Sequence, residues 1–495
     1  MNPRPKVYET FALTELSYRG SINVCKEIIL LVYNLDSSNT IKSTLSILIG
    51  MKISISGVRG IYGKDLNLHE IYRLSSLFGS YLINTKNKKI KCLVSCDTRI
   101  SGDIIKKIVK SSLIERNIDV YDLGIAPTPI VFRESKKFDG SIIITASHNP
   151  FDWNGLKFLI DGHGIFEKEL CKVLSNQLIS PIISYGSSQK FLSNYENDIL
   201  ELIQKSKKLN LSDNKLICID AGGGAACGYA NSILKNIGHI VYDVSGNKGI
   251  FSRGPDPTVD DLSQLKSIVK SHNLDYGFSF DLDGDRLVVV NSSGEKLNSD
   301  ITLLLCIANM VYNFQSKEFV TSIDTSISIQ NFIKSHGSYL TYSKVGEANV
   351  VQKMMEKNAD AGGEGSSAGF IMPNFNMCRD AILASVLIST INKKILKECF
   401  EISHNYSQIR TKIQIDSELQ RTILDKLYDE FKKDSTEINM LDGIKIIIDE
   451  NSWILFRISN TEHVLRISIE STSNKINSIY KNVNERIIRI HDQIK

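Results

Sequence analysis

Residues 141–150 read SIIITASHNP, an apolar run that breaks into a turn of small and polar residues. Three consecutive isoleucines make a short buried strand, and Asn149 and Pro150 favour a turn straight after it. That geometry lifts Ser147 to the end of a sheet. Upstream, residues 92–94 form a second apolar strand, while residues 68–82 and 103–115 carry helical spacing. Strands alternating with helices mark an α/β layer, in which ligands gather at the carboxyl ends of the strands. A serine hydroxyl needs an adjacent base or a metal to act as a nucleophile, and His148 and Lys157 (of NGLK, 154–157) are near in sequence. Ser-His adjacency is also ordinary turn chemistry, so this motif alone assigns nothing.

Working outward, the strand, loop, helix rhythm recurs twice. KLICID (215–220) runs into the glycine-rich AGGGAACG (221–228) and later GFSF (277–280), and a third unit runs from about 297 through GGEGSSAG (362–369). The last stretch differs: residues 444–448 and 453–458 predict a hairpin, followed by a strand at 466–469 and a helix. That helix places Ile476, Ile479, Tyr480, Val483, Ile487 and Ile490 on one face. The expected organisation is three related mixed α/β domains (51–190, 191–296, 297–411) and a smaller α+β domain (412–495) around a central cleft. Residues 1–50 fit this pattern badly and read as a dispensable N-terminal extension or as an extra helical element on the first domain.

DLDGDR (281–286) brings Asp281, Asp283 and Asp285 together just after an apolar strand. Three carboxylates so close repel one another unless a hard cation neutralises them, which suits Mg²⁺ or Ca²⁺. A calcium-binding EF-hand fails, because its sixth position is Arg286 and its twelfth Ser292. Arg286 beside a cation points to an anion, most simply a phosphoryl group; an acidic solvated turn is the plain alternative. RISNTEHVLR (457–466) supplies Arg457, Ser459, Asn460, Thr461 and Arg466 to one strand-turn-strand, a donor set matched to phosphate, although a polar turn with a surface ion pair would look the same. GGEGSSAG offers Glu364 and Ser366 to sugar hydroxyls, or is a flexible linker. AGGGAACG breaks the dinucleotide pattern at Cys227 and lacks a phosphate-loop lysine after Gly228, so it reads as tight strand-helix packing.

Composition narrows the classes. The 495 residues carry 59 basic and 55 acidic side chains, net +4, with no like-charge block to follow a nucleic-acid backbone or a membrane surface. Nine cysteines without a CxxC pair suit thiols in a reducing cytoplasm. The early apolar run at 28–33 is far short of the ~20 residues of a membrane span, so neither a signal nor an anchor is expected.

In this order, SGVRG (56–60), TASHNP, DLDGDR, GGEGSSAG and RISNTE (457–462) resemble the α-D-phosphohexomutase family, supported by CDTRISG (96–102), DLGIAPTP (122–129), KVGE (344–347) and CRDA (378–381). The resemblance implies a cleft closed by a mobile last domain. It implies that Ser147 is the phosphoserine, and that Mg²⁺ is held by Asp281, Asp283, Asp285 and an oxygen of the Ser147 phosphate. Arg59, His148, Lys157 and Arg286 fall on the catalytic side, with Lys157 and His148 as candidates for the hydroxyl proton. Glu364 and Ser366 match the sugar loop, Arg457, Ser459, Asn460 and Thr461 the grip on the phosphate not being transferred, and Arg466 and Lys344 are further substrate-binding residues.

The implied reaction interconverts hexose 6-phosphate and hexose 1-phosphate through a hexose 1,6-bisphosphate, which is both intermediate and activator. The partner is a small phosphosugar, with neither nucleic acid nor membrane, and the protein a monomer or homodimer. The sequence departs from many bacterial members where Ser366 is followed by Ser367, Ala368 and Gly369 instead of Gly-His, where Leu282 replaces a small residue, and where His463 replaces a proline. The double glycine before Glu364 and the serine two residues after it look closest to phosphoglucosamine mutases. A phosphomannomutase or phosphoglucomutase of dual specificity is the alternative, and a metal-dependent phosphatase or an inactive sugar-phosphate sensor a weaker one.

Overall fold

In a computed structural model of the chain, the described residues are 51–493, apart from 87, 180–183, 207–208, 210–212, 245, 417 and 459–463. The expected extension at 1–50 and three expected phosphate ligands, Ser459, Asn460 and Thr461, therefore lie outside the described residues.

Three sheets share one four-strand plan. In the first, Lys91–Cys96 is flanked in parallel by Asp119–Ile125 and Gly140–Ile144, and Gly140–Ile144 then pairs antiparallel with Trp153–Ile160. In the second, Leu216–Asp220 is flanked in parallel by Ile240–Asp243 and Tyr276–Phe280, and Tyr276–Phe280 pairs antiparallel with Leu287–Asn291. The third repeats the order with Glu318–Ser322, Tyr339–Ser343, Ala361–Glu364 and Gly369–Ile371. The first sheet adds Lys52–Ser54, Gly57–Ile61, His163–Gly164 and Ser188–Lys190 at its edges. In every repeat the turn between the third strand and its antiparallel partner sits at the carboxyl end of a parallel pair, where α/β sheets place ligands. Those three turns are TASHNP, DLDGDR and the loop through Ser366.

The fourth sheet is antiparallel throughout, in the order Tyr406–Gln414, Val464–Thr472, Ser452–Ile458, Ile444–Asp449, Glu437–Asn439. Helices Gln420–Phe431 and Ile476–Asp492 pack on it through Ile423, Leu427, Phe431, Val483 and Ile487. The sequence places the last boundary after residue 411. Strand Tyr406–Gln414 pairs along its whole length with Val464–Thr472, so the last unit already begins at Tyr406. Its alternation of half-buried and exposed residues carries too weak an apolar signal to reveal it.

The three α/β units share one apolar core that runs through helices Thr128–Ser135, Tyr195–Lys205, Tyr229–Asn236 and Ser299–Phe314 and includes Leu304, Leu305, Ile382 and Leu387. Helix Ala381–Ser389 is buried at all nine positions, as an apolar-all-round helix should be. Among the described residues no helix is long and apolar enough to cross a membrane.

Candidate active site

The turn after Gly140–Ile144 holds Ser147 in the left-handed region, φ +51°. A non-glycine residue there costs about 1–2 kcal/mol, so the surroundings must impose it. They do so through Arg99, a fully buried cation whose guanidinium donates to the carbonyls of Ser147 (2.5 Å), Asn149 (2.7 Å), Trp153 (2.9 Å) and Pro150. Asp97 orients Arg99 at 3.1 Å and accepts from Thr145 Oγ1 at 2.6 Å, and Thr145 Oγ1 in turn accepts from the Ser147 N–H. In the sequence Asp97 and Arg99 carry only the lesser CDTRISG match, an Asp-x-Arg directly after an apolar strand; their burial belongs to the structure.

Ser147 Oγ lies 3.3 Å from His148 Nδ1 and 3.3 Å from Asp281 Oδ2, which brings the first turn onto the second. The three aspartates are buried, and one oxygen from each lies within 4.8 Å of the others. In Asp283 and Asp285 one oxygen is tied and the other left over, while the second oxygen of Asp281 is the one that faces Ser147 Oγ. Asp281 Oδ1 accepts from the N–H groups of Asp285 (2.9 Å) and Arg286 (3.0 Å). Asp283 Oδ2 accepts from Thr128 Oγ1 at 2.7 Å, and Asp285 Oδ2 from Arg379 at 2.7 Å. Asp283 Oδ1 and Asp285 Oδ1 are buried without a partner. Buried orphan carboxylate oxygens converging on one point are what a hard divalent cation requires, so the residues present fit Mg²⁺.

The electrostatics agree. Burial and the two neighbouring carboxylates push Asp281 well above the ordinary range. For Asp285 burial acts upward, but Arg379, Lys157 and Arg286 together outweigh it and hold the group below that range. The repulsion among carboxylates that raises Asp281 is what a bound cation would relieve. Gly284 makes the turn possible: its φ is +70°, and a Cβ there would stand 3.2 Å from Pro127. AGGGAACG packs underneath, with Ala225 N–H donating to Leu282 O at 2.8 Å and a Cβ on Gly224 falling 2.7 Å from that same carbonyl.

Arg286 pairs with Asp256 at 2.9 Å, and its NH2 lies 3.4 Å from His148 Nε2. Burial, followed by Arg286, holds His148 well below its ordinary pKa, so the imidazole is neutral. Lys157 Nζ sits 2.8 Å from Glu347; burial lowers its pKa, yet Glu347 and Asp285 raise it further and keep it charged. Arg59, half-buried on Gly57–Ile61, faces the field of Asp283 and Asp285 and donates to Ser56 O at 3.1 Å. Asp256, Thr128, Glu347 and Arg379 were not singled out from sequence: the last three meet partners in other units, and Asp256 meets Arg286 from a loop thirty residues upstream.

On the third turn, the Glu364 carboxylate is buried, accepting from Gly346 N–H at 2.6 Å and Arg379 NH1 at 3.1 Å. Ser366 lies in the short 3₁₀ turn Gly365–Ser367, and Ala368 closes it at φ +50°. Strand register places Arg457 opposite Arg466, and Arg466 opposite Lys412, in one row across the last sheet. Arg457 approaches Asp442 at 3.8 Å, and Asp442 accepts from Val345 N–H, next to Lys344, at 3.0 Å. The last unit thus meets the KVGE loop beside the third turn.

The geometry finds close counterparts among known proteins. Three family models match in order: Phosphoglucomutase/phosphomannomutase alpha/beta/alpha domain I over residues 50–178, domain II over 189–294 and domain III over 298–408. A probable phosphoglucosamine mutase of Methanosphaera stadtmanae is 30% identical over 451 residues, covering 87% of this chain and 96% of that protein. A phosphoglucosamine/phosphogalactosamine mutase of Sulfurisphaera tokodaii is 29% identical, covering 89% of this chain and 99% of its own. Among solved structures, a phosphoglucomutase/phosphomannomutase family protein of Burkholderia thailandensis superposes with a TM-score of 0.76 at 22% identity, over 89% of this chain and 98% of that one.

Proposed function

The chain belongs to the α-D-phosphohexomutase family of isomerases, and we propose that it interconverts glucosamine 6-phosphate and glucosamine 1-phosphate through phosphorylated Ser147. The observation that supports this most directly is the convergence of three equivalent turns. A nucleophile-bearing turn, a carboxylate cluster with orphan oxygens and a small-residue sugar loop meet at one point, with a basic row on the last sheet beside them.

The phosphoryl group on Ser147 passes to the free hydroxyl of the sugar monophosphate: the P–Oγ bond breaks, a P–O bond to the sugar forms, and the hydroxyl proton leaves. His148, neutral and adjacent to Ser147, is the group suited to receive a proton. Lys157 stays charged against Glu347 and, with Arg286 and Arg59, offsets charge on the transferring group. Asp281, Asp283, Asp285 and the serine phosphate would hold Mg²⁺, which supplies further charge neutralisation there. The resulting bisphosphate turns over and returns its other phosphoryl group to Ser147, so a hexose 1,6-bisphosphate serves as both activator and intermediate. Lys344, Arg457 and Arg466, with Ser459, Asn460 and Thr461, grip the idle phosphate in both orientations, and Glu364 and Ser366 select the sugar.

The glucosamine assignment draws on GGEGSSAG and on the relatives named above. A cytoplasmic location draws on eight described cysteines that are all free thiols. The testing experiment is a coupled assay with Mg²⁺ and a bisphosphate primer on the full chain and on Ser147→Ala. Turnover of the glucosamine ester, abolished in the variant, is expected. Equal rates on mannose and glucose esters would replace the glucosamine assignment with dual hexose specificity, and near-normal turnover by Ser147→Ala would remove Ser147 from its role.

A further inference from the structure

Arg379 stands where the three turns lean on one another, and neither the cation set nor the sugar set includes it. Its place is set by the next residue: Asp380 caps helix Ala381–Ser389, accepting from Leu383 N–H at 2.9 Å, from Tyr195 OH at 2.6 Å and from Asn376 Nδ2 at 3.0 Å. Gly369 clears a path for the arginine stem, since a Cβ there would fall 2.2 Å from Arg379 Cδ.

The buried guanidinium meets three carboxylates. One is Asp285 of the aspartate turn at 2.7 Å, another Glu364 of the sugar turn at 3.1 Å, and the last Glu347 at 3.3 Å, itself paired with Lys157. One cation cannot fully compensate three buried anions, so a change at any of them alters its hold on the other two. The contact with Asp285 ties Oδ2 and leaves Oδ1 unpartnered. The contact with Glu364 ties Oε2, on the residue expected to meet sugar hydroxyls. A sugar that draws on Glu364 therefore pulls on NH1 of the same rigid fork whose NH2 holds Asp285 Oδ2.

We propose that Arg379 is a positioning residue that couples occupancy of the sugar loop to the cation affinity of the aspartate turn, a proposal that rests on the active-site reading above. The coupling is reciprocal: whatever factor the sugar phosphate applies to cation binding, the cation applies to the sugar phosphate.

The test uses Mn²⁺ as a spectroscopic probe of an oxygen-ligand site. Its dissociation constant is measured on the folded full chain with and without glucosamine 6-phosphate. In the wild type the sugar ester is expected to tighten Mn²⁺ by at least about 5-fold. Arg379→Gln is expected to weaken Mn²⁺ by about 10–100-fold and to bring the sugar effect to unity. Arg379→Lys keeps the charge but not the fork, so it recovers much of the affinity and none of the coupling; it also carries the test should the glutamine variant fail to fold. A sugar effect of wild-type size in either folded variant, or none in the wild type, overturns the proposal. Failure of the underlying reading shows separately: Asp283→Ala would then bind Mn²⁺ as tightly as the wild type.

Discussion

The three α/β units and the last unit are joined in opposite ways. Between the first three, the joint is a continuous apolar core in which whole helices are buried. The last unit has its own core and meets the third over a small patch of Ile323, Ile327, Trp453 and Leu455, with polar contacts around it. Glu470 reaches the start of helix Ile327–Ser335, accepting from Ile327 N–H at 2.8 Å, from Trp453 Nε1 at 2.7 Å and from Ser326 Oγ. Lys445 donates to Ile323 O at 2.6 Å with the Trp453 ring 4.1 Å away, and Arg410 pairs with Asp300 at 2.7 Å. Burial pushes Glu470 up to about 7 and pulls Lys445 down to about 8.

An apolar joint is non-directional and cooperative, so it holds the serine, aspartate and sugar turns in one register. A polar seat is made of separable contacts and can be released in part. That suits the proposed turnover of a bisphosphate beneath the basic row.

The comparison breaks most visibly in the shared core. Ile382→Ala, at a site with no exposure, is expected to cost about 2–5 kcal/mol. The check is chemical denaturation, in which the three α/β units should still melt together; independent melting of one unit would remove the idea of a common core.

A joint of intermediate kind sharpens it. His239 of the second unit accepts from Lys215 N–H at 3.2 Å through Nδ1, and its Nε2 lies 2.9 Å from Ser389 Oγ, at the end of the buried helix of the third unit. Burial, then Lys215, lowers this imidazole to about 4. Below its ordinary value of about 6.5 the unfolded chain takes up a proton that the folded chain refuses. The His239 contribution to stability should therefore fall as pH drops from about 6.5 to 4, by on the order of 3 kcal/mol, against an opposing gain from Glu470. Thermal melts of the wild type and of His239→Gln should isolate it, the stability difference between the two changing by that amount across the range.

The smallest effect is expected at the polar seat. Ser326→Ala removes a helix cap and one donor to Glu470, costing about 1–2 kcal/mol. Because the loss falls on the last unit, KM for the sugar phosphate should rise while Mn²⁺ binding in the absence of sugar stays at the wild-type level. A change in cation affinity would mean that the seat reaches the aspartate turn.

Much of the candidate site was legible because its chemistry is local. Asp281, Asp283 and Asp285 share one turn, so their spacing points towards a cation, with a solvated acidic turn as the alternative, and Ser147 follows its strand directly. What holds these groups lies far off in sequence. Thr128 orients Asp283, Arg379 orients Asp285, Asp256 faces Arg286 and Arg99 clamps the serine turn from below. A lone threonine or arginine carries no signal for such a partner. The start of the last unit at Tyr406 was hidden for a related reason: strand Tyr406–Gln414 draws its stability from pairing with Val464–Thr472, and its own pattern is nearly polar.

By itself, then, the sequence determined the elements and the reactive groups, because apolar periodicity and close-set carboxylates act over a few residues. Only the tertiary structure decided that the three turns are equivalent by repeat and meet at one point. It also decided which oxygens of Asp283 and Asp285 are tied and which are left without a partner. Those outcomes depend on packing between segments tens to hundreds of residues apart, where the energy lies in the contact and leaves no mark on either segment alone.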